Sequence, residues 1–387
     1  MHSNKFVMGK FLLYLFLILS TLGFNACSHH DDPIPEPPTA YKRTLFVYMP
    51  WASNLYSAFE QNLKDLMTAI NSTGLDNQRI IIFLANSNKT ATLQEVVLYN
   101  GFYSRKNIKD YSFTMADYTT VSGLTSILAD LVTIAPADEY SMIIGCHGMG
   151  WLPVTRSALA PSTRWFGGAS SLYQTEISTL HQALSNANIK LEYLLFDDCY
   201  MATAEVAYEL KDVIKYLIAS TCEIMNYGMP YHKMGKYLLG KPDYENICAS
   251  FFTFYNSYSY PYGTISVTST SQLPALAQAM KDLNDSYSFD PSYLESIQDL
   301  DGFTPTIFFD FGSYVKYLTA VNPDAAGTCL YRLDLAVPYK SNTPQYYSQF
   351  IRHGIDLADY SGLTISDPST HDDTKSKDQT SWWYATH

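Results

Sequence analysis

The stretch LEYLLFDDCYMATAEVAYEL, Leu191–Leu210, joins two regular patterns with a cysteine between them. Its first part, Tyr193–Phe196, is short, apolar and aromatic, which is typical of a buried strand. The apolar residues that follow recur at helical spacing: Ala202, Val206, Leu210 and Val213. We therefore expect Cys199 at a strand-to-helix junction, where unpaired N–H groups and the helix dipole lower the pKa of a thiol and make it reactive. The alternative is a structural cysteine, a common small core residue.

The composition indicates a folded globular protein that does not bind nucleic acid. Of the 387 residues, 47% are hydrophobic and 16% are charged, which is the profile of a folded globular chain. The net charge of -12 and the pI near 5.1 argue against a nucleic-acid partner, because neutralising phosphates requires clustered Lys and Arg. We expect a monomer.

The N-terminus has the pattern of an export signal. Lys5 and Lys10 precede the apolar run Phe11–Leu19, which is too short to span a membrane. FNAC, Phe24–Cys27, resembles a loose lipoprotein signal, so residues 1–27 are predicted to be a signal peptide ending at Cys27, the lipidated first residue of the mature chain. We expect an exported protein that is lipid-anchored at the periplasmic face or cell surface of a bacterial-type membrane. Ordinary cleavage and secretion is the alternative.

The rest of the chain divides into a tether and two folded parts. Residues 28–40, SHHDDPIPEPPTA, are polar and Pro-rich, and we expect them to form an extended tether. Residues 41–270 are predicted to form the main α/β domain. Residues 271–387 are predicted to form a C-terminal α/β part that completes or extends it.

The cysteine content favours a free thiol. Five cysteines remain once Cys27 is set aside, and their separation in sequence is unlike that of a disulfide framework or a zinc site: Cys146, Cys199, Cys222, Cys248 and Cys329. A metal site made of Cys146, His147 and Cys199 is the rival interpretation. Neighbouring strand residues point to opposite faces, which disfavours Cys146 and His147 as ligands of one ion, and we expect no metal.

Strands and helices alternate from Thr44 onward. Thr44–Met49 and Arg79–Ala85 are apolar runs typical of buried strands, and Phe59–Ile70 between them has the spacing of a helix face. A strand, a helix and a strand with short connections make the unit of a parallel sheet covered on both faces. We therefore predict an α/β fold with a mostly parallel sheet flanked by helices on both faces. A hairpin whose first arm is Gln94–Tyr99 interrupts this alternation.

Further elements are expected in the second half. Gly263–Ser269 is predicted to be a last parallel strand, and Leu273–Tyr287 and Gly302–Thr319 are predicted to be helical. Arg332–Pro338 and Gly362–Ser366 are predicted to be strands of the C-terminal part that extend the sheet.

A histidine reaches the same edge of the sheet as Cys199. In Tyr140–Trp151, YSMIIGCHGMGW, the segment Ser141–Cys146 is a predicted strand and His147 lies just beyond it, in a Gly-rich turn. Functional groups collect beyond the carboxyl ends of parallel strands, so we expect His147 and Cys199 to lie close together. The N–H of Gly148 is placed to face a developing oxyanion.

These motifs resemble the clostripain family of cysteine peptidases, which share a caspase-like, or gingipain-like, α/β fold. The likeness is carried by HGMGW at His147, FDDCYMATAEVAYEL around Cys199 and ASTCEIMNYGMPY at Ala219–Tyr231. The resemblance implies that His147 is the general base and acid, that Cys199 is the nucleophile, and that the N–H groups of Gly148 and Cys199 form the oxyanion hole. It allows calcium dependence, but the sequence contains no motif for that ion, and no cofactor is required.

The resemblance also implies a protein or peptide substrate. Asp197 points the same way along its strand as Cys199, so we expect it at the floor of the pocket for the residue before the cleaved bond. With Glu223 it would favour Arg or Lys there. A carboxylate that caps the following helix is the alternative for Asp197.

The segment from Trp151 to Ser171 is predicted to be an exposed loop where the chain cuts itself, after Arg156 or Arg164. A plain surface loop is the alternative.

Two other functions keep the same fold: a catalytically inactive lipoprotein that only binds, and an amidase or transpeptidase that uses the same His147 and Cys199.

Overall fold

The predicted strands and helices form a layered α/β structure. A computed structural model of the protein describes residues 41–51, 54–152, 154 and 166–387, which belong to one compact unit, Ala40–His387. The strands in this part of the chain are β1 Tyr41–Met49, β2 Gln78–Ala85, β3 Thr90–Tyr99, β4 Phe102–Ser112, β5 Ala137–Gly145, β6 His147–Gly148, β7 Phe166–Gly167, β8 Gln174–Thr175, β9 Leu191–Asp197, β10 Ile214–Ala219, β11 Thr264–Ser269, β12 Phe309–Asp310, β13 Tyr339–Asn342, β14 Gln345–Ser348, β15 His353–Asp356 and β16 Thr364–Ile365. The α-helices are α1 Tyr56–Thr73, α2 Val121–Ile134, α3 Ile177–Asn186, α4 Ala204–Leu210, α5 Tyr231–Leu238, α6 Tyr244–Ser257, α7 Leu273–Ser286, α8 Phe311–Leu318, α9 Gly327–Ala336 and α10 Ser381–Thr386.

The central sheet has a parallel core and antiparallel edges. Within the described residues it contains nine strands in the order β13-β11-β10-β9-β5-β1-β2-β3-β4. The pairings from β10 through β9, β5 and β1 to β2 are parallel, and those at both edges are antiparallel. Gly145 pairs with Asp197, so β5 and β9 end at the same level of the sheet. This register brings the residues that follow the two strands to one edge.

Both faces of the sheet are buried, which explains why the parallel strands are continuous apolar runs. One face packs against apolar residues of α2, α3, α4, α7, α8, α9 and α10, including Leu128 and Trp382. The other packs against α1, α5 and α6, including Leu63 and Phe251. The α/β fold with helices on both faces is therefore confirmed. In the described residues no helix is long and apolar enough to cross a membrane.

The hairpin prediction is confirmed, but the direction of the strand at Gly263–Ser269 was wrong. That strand, β11, runs antiparallel to β10. Two helices, α5 and α6, lie in the connection, and the second returns the chain to the edge where β10 ended: the Tyr255 hydroxyl near its end donates to the carbonyl of Gly228, 2.7 Å away. A strand that starts at this edge must run antiparallel to its neighbour.

Three predictions for the C-terminal part need correction. Arg332–Pro338 is not a strand, because its residues through Ala336 belong to α9 and the buried positions Cys329, Leu333 and Ala336 have helical spacing. The helix predicted over Gly302–Thr319 is limited to α8, whose N-cap Asp310 accepts a hydrogen bond from the N–H of Ser313. Gly362–Ser366 contains only the short strand β16, which pairs with β12 outside the central sheet. The large sheet is extended instead by β13.

Candidate functional site

Cys199 lies in the turn that follows β9. Of the five cysteines in the described residues, the other four are buried and Cys199 alone is partly exposed. The N–H of Ile224, in the segment after β10, donates to its Sγ over 3.3 Å. The helix expected directly after Cys199 begins only at Ala204, with Thr203 as its N-cap. The predicted helix N-terminus is therefore not at the sulfur.

His147 follows directly on β5 and its side chain is held by Asn54. The amide of Asn54 lies 3.2–3.3 Å from Nε2 of the imidazole, and the Trp51 indole N–H donates to the Asn54 Oδ1 over 2.9 Å. Trp51 and Asn54 both lie between β1 and α1, so residues of this connection hold the ring. Asn54 was not among the residues predicted for the site, because no motif in the sequence connects it with His147.

His147 and Cys199 line one cleft. Its volume is about 640 Å³, and the described residues that line it are Asn54, His147, Gly148, Met149, Ala169, Cys199, Tyr200, Glu223, Phe303, Gln349, Phe350, His371 and Asp373. The residues from Phe303 to Asp373 belong to the C-terminal part of the chain. The shared edge predicted for His147 and Cys199 is thus present, and the C-terminal part forms one wall of the cleft.

The two loops that carry His147 and Cys199 touch through glycines. A Cβ atom added at Gly148 would lie 2.7 Å from the carbonyl oxygen of Cys199 and 2.7 Å from the Cβ of Asp198. One added at Gly150, where φ is +64°, would lie 2.9 Å from the carbonyl oxygen of Tyr200. Real Cβ atoms do not approach so closely, so this sequence brings the histidine loop against the cysteine loop only with glycine here.

Asp198 joins the ends of the two strands. Its buried carboxylate accepts the N–H of Cys146 at Oδ1 over 2.6 Å, and the Cys146 thiol donates to Oδ2 over 3.4 Å. Cys146 and Asp198 are the immediate neighbours of His147 and Cys199. Asp198 was not among the residues predicted for the site, although it lies between Asp197 and Cys199 in the sequence.

Burial keeps the resting thiol and imidazole neutral. It raises the pKa of Cys199 to about 12, and the charge of Glu223 adds to the rise while the Ile224 N–H opposes it. Burial also lowers the pKa of His147 from its ordinary value. The lowered thiol pKa expected from a helix N-terminus was therefore wrong. Loss of solvation outweighs the Ile224 N–H that reaches the sulfur.

Asp197 and Glu223, the two acidic residues predicted to bind substrate, lie in different places. Asp197 is 8% exposed, and its Oδ1 and Oδ2 accept bonds from the Met229 N–H (2.9 Å) and the Tyr231 hydroxyl (3.0 Å). Burial raises its pKa to about 7, and those two bonds lower it only partly. Glu223 lines the cleft, where its Oε1 accepts from the Tyr200 hydroxyl and the Gln349 N–H, each 2.9 Å away. Asp197 does not belong to the described lining of the cleft.

The remaining predicted residues are not in the described ranges. Cys27, Arg156 and Arg164 lie outside them. Within these ranges no group of three or more His, Cys, Asp and Glu side chains is arranged to hold a metal ion.

The chain is similar to one protein family and to several solved structures. The model of the clostripain family matches residues 47–322. A secreted C11 cysteine protease from Bacteroides thetaiotaomicron, "iotapain", is 47% identical with a TM-score of 0.86, over 90% of this chain and 100% of that one. A clostripain from the same species, in complex with the peptide inhibitor BTN-VLTK-AOMK, is 51% identical with a TM-score of 0.56, over 58% of this chain and 99% of that one. An inactive zymogen C11 protease from Parabacteroides distasonis is 26% identical with a TM-score of 0.76, over 91% and 99%. No curated protein matches the chain.

The contact at Gly148 predicts that Gly148→Ala abolishes turnover. The added Cβ pushes the histidine loop away from the Cys199 carbonyl, and such overpacking costs about 1–3 kcal/mol of stability. Gly327→Ala is the matched control, because a Cβ there meets nothing within 4 Å. Peptide hydrolysis and thermal unfolding of both variants measure the effect. A Gly148→Ala protein with wild-type turnover would show that the two loops do not depend on this contact.

Proposed function

Because the chain belongs to the clostripain family of cysteine peptidases, we propose that it is an exported endopeptidase that cleaves peptide bonds after Lys or Arg. Cys199 is the nucleophile and His147 the general base and acid. The observation that supports this most strongly is the shared cleft, which is lined by His147 and by the partly exposed Cys199, while the other described cysteines are buried. Cys27 is the proposed lipid anchor, which the lipoprotein-like signal supports.

The chemistry starts from the neutral pair. His147 removes the thiol proton as the Cys199 sulfur bonds to the scissile carbonyl carbon, and the carbonyl electrons move to oxygen. The N–H groups of Gly148 and Cys199 stabilise that oxyanion. Collapse breaks the C–N bond, and the leaving amine takes the proton from the imidazolium. A water molecule, deprotonated by His147, then hydrolyses the thioester and the thiol regains its proton.

A second cavity, lined by residues close in sequence to those of the cleft, favours an extended peptide over a small amide. It has a volume of about 500 Å³, and its described lining is Ser57, Ala58, Gln61, Met225, Asn226, Tyr227, Tyr258, Tyr260 and Tyr347. Three short segments contribute to both cavities: residues 54–61, 223–227 and 347–350. A peptide bound at Cys199 therefore has further side-chain space beside it. An amidase for small substrates would not require this space.

Two observations support a preference for a basic residue before the cleaved bond: the acidic side chains near Cys199 and the inhibitor bound to a related protein. The clostripain from B. thetaiotaomicron is bound to an inhibitor in which Lys precedes the AOMK group. In this chain Asp197 and Glu223 are the two acidic candidates near Cys199, and both act on its thiol through their charge. Asp197 is the proposed partner of the substrate cation, which would replace the bonds that its carboxylate now accepts.

Turnover should depend on both members of the pair. We expect Cys199→Ala and His147→Ala to lower kcat/KM by roughly 10⁴-fold or more, because each removes the nucleophile or its base, while thermal unfolding stays close to wild type. An Arg-containing peptide electrophile should label wild type and not Cys199→Ala. Wild-type turnover in Cys199→Ala would contradict the mechanism, and an unlabelled, inactive wild type would favour the binding lipoprotein. Transfer to an added amine in preference to water would favour the transpeptidase.

Selectivity should depend on pH through Asp197. Its pKa of about 7 means that the carboxylate is protonated below and charged above that pH. The ratio of kcat/KM for a Lys peptide to that for a neutral isostere should therefore rise as pH increases through about 7 in the free enzyme. Asp197→Asn should lower the ratio on the order of 100-fold and remove its pH dependence. Glu223→Gln is the matched variant. If it lowers the ratio and Asp197→Asn does not, Glu223 is the cation partner.

The chain is also proposed to cut itself between Trp151 and Ser171. The proposal is supported by Arg156 and Arg164, which supply the preferred residue shortly after His147. A relative from P. distasonis is an inactive zymogen. Wild type should separate into two fragments on a denaturing gel, with the second beginning at Ser157 or Trp165, while Cys199→Ala and the double variant Arg156→Gln/Arg164→Gln stay whole. A fully active wild type that remains one chain would exclude this step.

A further inference from the structure

The tip of the hairpin β3–β4 exposes large apolar side chains. Leu98, Tyr99 and Phe102 are 61%, 70% and 72% exposed, although Val96, two residues earlier on β3, is buried. Tyr99 and Phe102 are cross-strand neighbours. Single exposed apolar residues are common, but three at one hairpin tip form an apolar projection that indicates a contact surface.

The tip is held rigidly in this position. Asn100 and Gly101 have φ values of 49° and 82°, which makes a tight two-residue hairpin turn. At the end of α1, Asn71 accepts the N–H of Tyr103 over 2.8 Å, and the N–H of Leu75 donates to the Tyr103 hydroxyl over 3.2 Å. These bonds fix the strand beside the tip, so its apolar side chains stay exposed.

The tip lies at the end of the sheet opposite the cleft. Arg43 of β1 pairs with Gln78 of β2, and Ile81 of β2 pairs with Glu95 of β3. The start of β1 and the tip after β3 are therefore at the same end of the sheet. The cleft lies beyond the other ends, where Gly145 and Asp197 pair.

We propose that this hairpin tip inserts into the interface of the phospholipid membrane to which Cys27 is anchored. The proposal rests on the proposed anchor and not on the peptidase chemistry. The chain enters the sheet at Tyr41, and the 13 residues from 28 to 40 reach at most roughly 45 Å, so an anchored chain keeps this end near the bilayer. The cleft then faces away from the lipid, toward substrates.

The chemistry of the tip favours lipid over protein. Aromatic rings and leucine are the side chains that settle at the level of the headgroups. Beside the tip, a cavity of about 470 Å³ is lined by Phe102, Met67 and Lys64, so an ammonium group and apolar side chains face one space. A phospholipid offers the matching phosphate and acyl chain. Three side chains are too small a surface for a stable dimer, which requires about 800 Å² on each partner.

The test uses the mature chain without its acyl group and vesicles of phosphatidylethanolamine and phosphatidylglycerol. Wild type should float with the vesicles, and the triple variant Leu98→Ser/Tyr99→Ser/Phe102→Ser should lose at least tenfold in bound fraction, with Phe102→Ser intermediate. The matched control Val321→Ser/Tyr331→Ser/Tyr384→Ser removes equally exposed apolar side chains elsewhere and should bind like wild type.

Two further readouts separate the possible failures. Hydrolysis of a soluble peptide should be equal in all four proteins, so a loss of vesicle binding cannot be mistaken for a failure of the peptidase assignment. In cells, the triple tip variant should stay in the membrane fraction while Cys27 is intact, and adding Cys27→Ser to it should release the full chain, which tests the anchor separately from the tip. Wild type that does not float, or a tip variant that floats equally well, would overturn the proposal. So would a wild-type dimer that the tip variant dissociates in the absence of vesicles.

Discussion

The carboxylate of Asp198 is the contact on which the arrangement of the cleft depends. It lies at the end of β9 and accepts the backbone N–H and thiol of Cys146 at the end of β5. His147 and Cys199 are the next residues along each strand, so one buried side chain sets the spacing of the two reactive groups. Such a group is costly to leave unpaired, at about 1–3 kcal/mol or more when charged, and this penalty disfavours separation of the strand ends. Gly148 completes the contact by permitting backbone approach.

Burial of Cys199 and His147 determines the protonation states of their side chains in the absence of substrate. A thiolate at Cys199 would need solvent or several donors at the sulfur, and the Ile224 N–H alone does not offset the burial that raises the thiol pKa. Glu223 adds a negative charge beside the thiol and further disfavours the thiolate. In the proposed mechanism, proton transfer therefore accompanies attack on the carbonyl, and the N–H groups of Gly148 and Cys199 compensate for the charge that forms on the oxygen.

The sequence predicted those features that depend on local pattern. Thr44–Met49 and Arg79–Ala85 were recognisable because strands buried on both faces are continuous apolar runs. The direction of β11 could not be recognised from the sequence, because it depends on the path of two helices in the preceding connection. Leu333, Leu335 and Val337 alternate like a strand, yet burial follows the helical set Cys329, Leu333 and Ala336. The edge shared by His147 and Cys199 followed from topology. The neutral state of the two side chains could not be predicted in this way. It results from burial and from the charge of Glu223, which no local motif connects to Cys199.

The pH dependence of Cys199 alkylation tests the neutral pair most directly. Wild type is treated with iodoacetamide from about pH 5 to about pH 9, and the modification of Cys199 is followed by mass spectrometry, with Cys199→Ala as the blank. Because the thiol pKa is raised to about 12, the rate should rise throughout this range without a plateau. A rate that is already high at low pH and does not change up to about pH 9 would show a preformed thiolate and contradict the account.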